Sequence, residues 1–151
     1  ALLLGNTLFG GSSNSKLFLN VREKLSLCYY ASSTFHRSKG LITVSSGIEF
    51  ENYQKAYDEI MAQLQAVQNG NLEDWELEAA RSTLLNAYAS MQDSQGRMEN
   101  FCIGSSSTGQ NDSLEDLARQ VRETPLERIQ EAMGSVALDT VYFLRGKEDA
   151  E

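Results

Sequence analysis

The 151-residue chain is 41% hydrophobic and 23% charged, enough to bury one sizeable core and within the usual size of a single domain. Its 21 acidic against 13 basic side chains leave a formal charge of −8, which argues against diffuse attraction to a polyphosphate backbone and so against nucleic acid. No apolar run approaches a membrane span and no basic-headed signal peptide is present, so the sequence reads as a cytoplasmic protein or a piece of one.

In chain order, "ALLLGNTLFGG" reads as a first helix closed at Gly10 and Gly11, where a positive φ is wanted. A second helix follows over "KLFLNVREKLS", with Ser12, Ser13 or Ser15 as its cap and Leu17, Phe18, Val21 and Leu25 at helical spacing. From Leu27 to Phe35 the residues are aromatic, small and β-branched. After the turn "HRSKG", Leu41 to Ile48 alternates apolar with polar, so the two runs predict adjacent antiparallel strands. Tyr53, Tyr57, Ile60, Met61, Leu64 and Val67 mark one face of a long helix ending at Asn69-Gly70. Another helix begins near Leu72, with Trp75, Leu77, Ala80, Leu84, Leu85, Tyr88 and Met91 as its expected buried residues.

Between Gln92 and Gln110 a short apolar helix, Met98 to Ile103, is expected beside a polar loop. Ser113 with Asp116, and Thr124 with Pro125 and Glu127, signal two further helix starts; in the second, threonine caps and proline takes the first helical position. "LDTVYFLRG" reads as a closing strand. Helices segregated from an antiparallel sheet make the fold class α+β, with the helices packed on one face of the sheet. Nothing divides the chain, so residues 1–151 are expected to be a single domain.

Three candidate chemistries compete with plainer readings. Glycines before a helix N-terminus in "GGSSNSKLF" can cradle a phosphate, but a helix precedes them and no Gly-Lys-Ser/Thr follows, so a tight interhelical turn is the better account. Acidic residues at 49, 51, 58 and 59 and at 73, 74, 76 and 78 lie at helix beginnings without a histidine, as structural charge does. Cys28 and Cys102 are expected to be buried free thiols, and the single histidine, His36, permits neither a zinc motif nor a nucleophilic triad. Arg22 and Tyr29 remain. A guanidinium fork and a phenol hydroxyl can both grip a peptide carbonyl or a developing oxyanion if aimed at one point. Spacing alone favours a solvated arginine and a buried strand tyrosine.

At these residues the sequence resembles a known family. "FGGSSNSKLFLNVREKLSLCYYASS" is similar to the glycine-rich turn, helix and strand of the insulinase, pitrilysin and mitochondrial processing peptidase family, matching at Gly11, Ser15, Leu17, Phe18, Val21, Arg22, Glu23, Lys24, Leu27 and Tyr29. Leu72, Glu76, Leu77, Ala80 and Arg81 resemble the family's later "L-x-x-x-E-L-x-x-A-[KR]" pattern. The likeness extends over the chain, in outline only after Asn100, and implies a repeated α+β domain of a clam-shaped zinc peptidase. Without an HxxEH motif, the chain resembles the non-catalytic half, one that begins partway through its domain. The resemblance implies zinc and a general base in an HxxEH-bearing partner domain or subunit, none in this chain, and no hydrolysis by the chain alone. It further implies that Arg22 fixes the backbone of a peptide substrate and that Tyr29, seven positions on, donates to the scissile carbonyl.

The sequence departs from the family pattern at Ser26, where glycine is usual, and at Asn14 and Lys16, where Ser and Arg are usual. Serine fits at position 26 if its φ is negative. Inactive paralogues of the family keep the fold, so a scaffold that pairs with a partner subunit is the alternative to a peptide-binding half. A stand-alone ligand-binding domain is a third reading.

Overall fold

A computed structural model describes residues 1–109 and 112–146. Its elements in order are α1 (Leu2–Phe9), a π-helix (Leu17–Lys24), β1 (Cys28–His36), β2 (Leu41–Ile48), α2 (Tyr53–Gln68), α3 (Asp74–Gln92), α4 (Gln95–Thr108), α5 (Leu114–Glu123) and α6 (Leu126–Gly134), with single 3₁₀ turns at Arg37–Lys39 and Phe50–Asn52. The strands pair antiparallel, from His36 opposite Leu41 to Cys28 opposite Ile48. The architecture is α+β.

The core gathers around α1, whose Leu4, Leu8 and Phe9 meet Leu17 and Val21 of the π-helix, Ala31 of β1, Val67 of α2, Ala80 of α3 and Ile129 and Met133 of α6. Gly5 permits this centrality, since a Cβ there would stand 2.4 Å from the Met133 side chain. Gly10 has a different use from the one its helix-end position predicts. Neither Gly10 nor Gly11 has a positive φ. A Cβ on Gly10 would lie 2.7 Å from Ser33 N and from Leu17 Cδ1, so glycine is required there for close approach of the turn to β1. The Ser33 N–H donates to Gly10 O at 2.8 Å and the Ser33 hydroxyl to Asn6 Oδ1 at 2.7 Å, so two buried polar residues satisfy each other at the crossing.

A second tie joins the turn to α3. Glu76, only 5% exposed, accepts from Lys16 Nζ at 2.7 Å and from the Glu73 N–H at 2.8 Å, closing the capping box that starts α3. Turning Glu76 inward leaves its neighbour Trp75 on the surface at 52% exposure, contrary to the expectation that Trp75 is buried. Arg81 donates to Thr124 O at 2.9 Å and joins α3 to the end of α5. The residues shared with the family's second pattern therefore act in packing.

Other expectations hold in part and fail in part. The short helix expected at Met98–Ile103 is part of a longer one, Gln95–Thr108, which takes in most of the expected polar loop; Gln110 lies outside the described residues. Ser113 and Asp116 form their reciprocal cap. Thr124 instead finishes α5, donating its hydroxyl to Gln120 O at 2.6 Å, and α6 is capped at Pro125. Cys28 is half-buried and Cys102 exposed, so neither is a buried thiol; both are free.

The expected closing strand is absent. Residues 138–146 carry strand-forming side chains but pair with no strand among the described residues; Phe143 instead packs its ring against Phe50 and Tyr53, at centroid separations of 6.0 and 4.6 Å. Strand propensity is context-dependent, and without a neighbouring edge the backbone gains no ladder.

Replacing Lys16 by alanine leaves the Glu76 carboxylate buried with its charge uncompensated. We expect a loss of about 3 kcal/mol in the unfolding transition of this domain, measured by denaturant titration of the full-length protein. Unchanged stability would show that solvent reaches Glu76.

Candidate functional site

Between the buried Val21 and the buried Ala31 the backbone departs from regular geometry three times. Leu17 and Val21 hold one face of the π-helix in the core, and Asn20 Nδ2 donates to Gln63 Oε1 of α2 at 2.9 Å. The last turn is wide: Leu25 N–H reaches back five residues to Asn20 O at 3.2 Å, and Leu27 N–H reaches Val21 O at 3.1 Å. Ser26 closes it with φ +50°, the one non-glycine residue with positive φ among the described residues. The condition for serine at this position, a negative φ, is not met. The family's glycine would suit the left-handed backbone, and serine there costs about 1 kcal/mol or more.

The third departure is a β-bulge. Cys28 pairs with Ile48 and Tyr30 with Gly47, so Tyr29 is the extra residue with no partner on β2. Alternation along β1 would otherwise put Tyr29 on the same face as the buried Ala31 and Ser33. The bulge turns it outward to 74% exposure. Tyr30 is held in place by its ring over Gly47, where a Cβ would stand 2.6 Å from Tyr30 Cε1.

Both sequence-predicted site residues therefore face solvent, and both line one open cleft of about 450 Å³ with Glu23, Ser26, Cys28, Glu49 and Asn52. Arg22 places its guanidinium carbon 4.6 Å from the Phe18 ring centroid, with Nη1 3.5 Å from Glu23 Oε1. Stacking on an aromatic face holds the fork near the cleft while its exposed edge stays open to an acceptor. The Tyr29 hydroxyl donates to Glu49 Oε1 at 3.0 Å. That hydrogen bond, and then the nearby carboxylate charge, raise the phenol above its ordinary pKa of 10.0, so Tyr29 stays protonated across the neutral range. Sequence reasoning assigned Glu49 to structural charge. Its position one residue past Ile48, opposite the start of the bulge, becomes informative only once the register is known.

The described residues do not fit a zinc ion. Among the described residues no three His, Cys, Asp or Glu side chains converge, and His36 Nε2 is 3.0 Å from the Thr43 hydroxyl. No helix among the described residues is long and apolar enough to cross a membrane.

Against known proteins, the family description "Peptidase M16 inactive domain" matches residues 1–84. This chain belongs to the M16 peptidase family, as its inactive domain. Two Bacillus subtilis (strain 168) proteins are similar: "Probable inactive metalloprotease YmfF", 37% identical over 150 residues, spanning 99% of this chain and 35% of that protein, and "Uncharacterized zinc protease YmxG", 23% identical over 131 residues, spanning 85% and 32%. A crystal structure of a conserved protein from Enterococcus faecalis V583 superposes with a TM-score of 0.81 at 30% identity, covering 88% of this chain and 32% of that one. The chain thus spans about a third of the length of these relatives. The M16 match takes in the whole of α1 to β2 and with it both Arg22 and Tyr29.

Ser26→Gly relieves the left-handed strain at the price of a more flexible unfolded chain. Its expected net effect is a stabilisation of about 0.5 kcal/mol in the full-length protein, read by denaturant titration. A destabilised Ser26→Gly protein would mean that the serine side chain itself supports the turn.

Proposed function

We propose that this M16 inactive domain is the peptide-binding, zinc-free half of a metallopeptidase-type chamber. An HxxEH-bearing domain or subunit elsewhere would supply zinc and the catalytic base. The observation that carries this reading is the meeting of Arg22 and Tyr29 in one solvent-open cleft, although a π-helix turn, a left-handed serine and a bulge separate them along the chain. Backbone irregularities of this kind re-aim side chains and gather at functional sites. A purely structural Tyr29 would be expected to turn inward beside Ala31, where regular alternation would have put it.

In this reading the Arg22 guanidinium donates to backbone carbonyls of an extended peptide, a contact made equally in the ground state and the transition state. The Tyr29 hydroxyl donates to the carbonyl oxygen as it becomes an oxyanion. The relative named an inactive metalloprotease favours a second reading, in which neither half cleaves and the fold serves as a scaffold for a partner.

The test uses the full-length protein with any co-purifying partner and a library of end-capped, unstructured peptides without ionisable side chains, labelled with an uncharged BODIPY-type fluorophore. Arg22→Ala should weaken binding about tenfold by anisotropy, the loss of one charged hydrogen-bond donor. Where the wild type hydrolyses the library, Tyr29→Phe should lower kcat on the order of 10²-fold with KM little changed. A wild type that binds without cleaving is a peptide carrier. One that neither binds nor cleaves is a scaffold, and the proposal fails.

A further inference from the structure

The Tyr29–Glu49 contact lies inside the cleft just assigned to peptides, and the inference rests on that reading. A phenol hydroxyl has one hydrogen to give. Here Glu49 Oε1 receives it at 3.0 Å. Any ligand oxygen that is to use Tyr29 must displace that carboxylate. Hydrogen bonds to an ionised acceptor are roughly twice as strong as those between neutral groups, so an uncharged amide carbonyl competes poorly and an oxyanion competes well.

We propose that Glu49 reserves the Tyr29 hydroxyl for charged oxygens: a neutral peptide enters the cleft with the Tyr29–Glu49 bond intact, and only an anionic oxygen takes the donor. The placement supports this. Glu49 directly follows Ile48, whose pairing with Cys28 marks the start of the bulge, and its backbone is extended (φ −70°, ψ 145°) at the entry to the Phe50–Asn52 turn. The two side chains are therefore carried by neighbouring strands at the same open end of the hairpin, at the point where the bulge frees Tyr29.

Such an arrangement withholds an interaction from the ground state and releases it as charge develops, the condition under which binding energy raises kcat. Glu49 acts here as a positioning residue, through its hydrogen bond to Tyr29.

The test is a cycle of four full-length proteins, wild type, Tyr29→Phe, Glu49→Ala and the double variant, titrated with the same uncharged peptide library. Wild type and Tyr29→Phe should bind alike. Glu49→Ala, with its phenol free, should bind about threefold to tenfold tighter, and the double variant should return to the wild-type affinity. Spectroscopic titration of the Tyr29 phenol, by difference from the matching Tyr29→Phe protein, should show its pKa lowered in Glu49→Ala.

An affinity gain that persists in the double variant overturns the proposal, as does no gain at all or an unmoved phenol pKa. Arg22→Ala separates the two levels. If it weakens binding while Glu49→Ala changes nothing, the cleft reading stands and the role of Glu49 falls; if it binds normally, the cleft reading falls and takes the inference with it.

Discussion

Two anchored points govern this chain: Val21 on the π-helix and the inward-facing Ala31 and Ser33 of β1, all buried around α1. Gly10 brings the first turn against Ser33, and the Ser33–Asn6 hydrogen bond fixes which residues of β1 face inward. A one-residue slip would send Ala31 and Ser33 to solvent. With both ends held, the residues between have to absorb the mismatch between a helix and a strand. They do so through the wide last turn, the left-handed Ser26 and the bulge at Tyr29. The exposure of Tyr29 follows from the anchoring.

The same logic separates charge committed to the core from charge left at the cleft. Lys16 and Glu76 meet in the interior, where loss of either would leave a charge without a partner, and Glu76 also completes the α3 cap. Arg81 is spent on the Thr124 carbonyl. Arg22 and Tyr29 close no helix and join no two elements of the core. Arg22 rests on a neighbouring ring and Tyr29 on a neighbouring carboxylate, both at the edge of an open cleft.

Much of this was legible in the sequence because it is local. The hairpin followed from a turn between two β-rich runs, and the reciprocal cap at Ser113 and Asp116 from a three-residue spacing. Non-local constraints were not legible. Trp75 looked buried by helical period, yet Glu76 takes the inward position because Lys16 waits there, sixty residues earlier in sequence. Residues 138–146 have strand chemistry, but a strand needs an edge to pair with, and none meets it among the described residues. Arg22 and Tyr29 were found through resemblance; spacing alone argued for a buried tyrosine. The bulge that overturned that argument is a property of strand register, which a single sequence does not display. Glu49 escaped notice for the same reason.

The central claim is that residues 22–30 and 48–52 form one peptide-binding surface. Amide hydrogen exchange of the full-length protein, with and without saturating unstructured peptide, tests it most directly. The account predicts slowed exchange in both segments on peptide addition, with α4 and α5 unchanged. Slowing confined to other elements, while these two exchange as before, would contradict it.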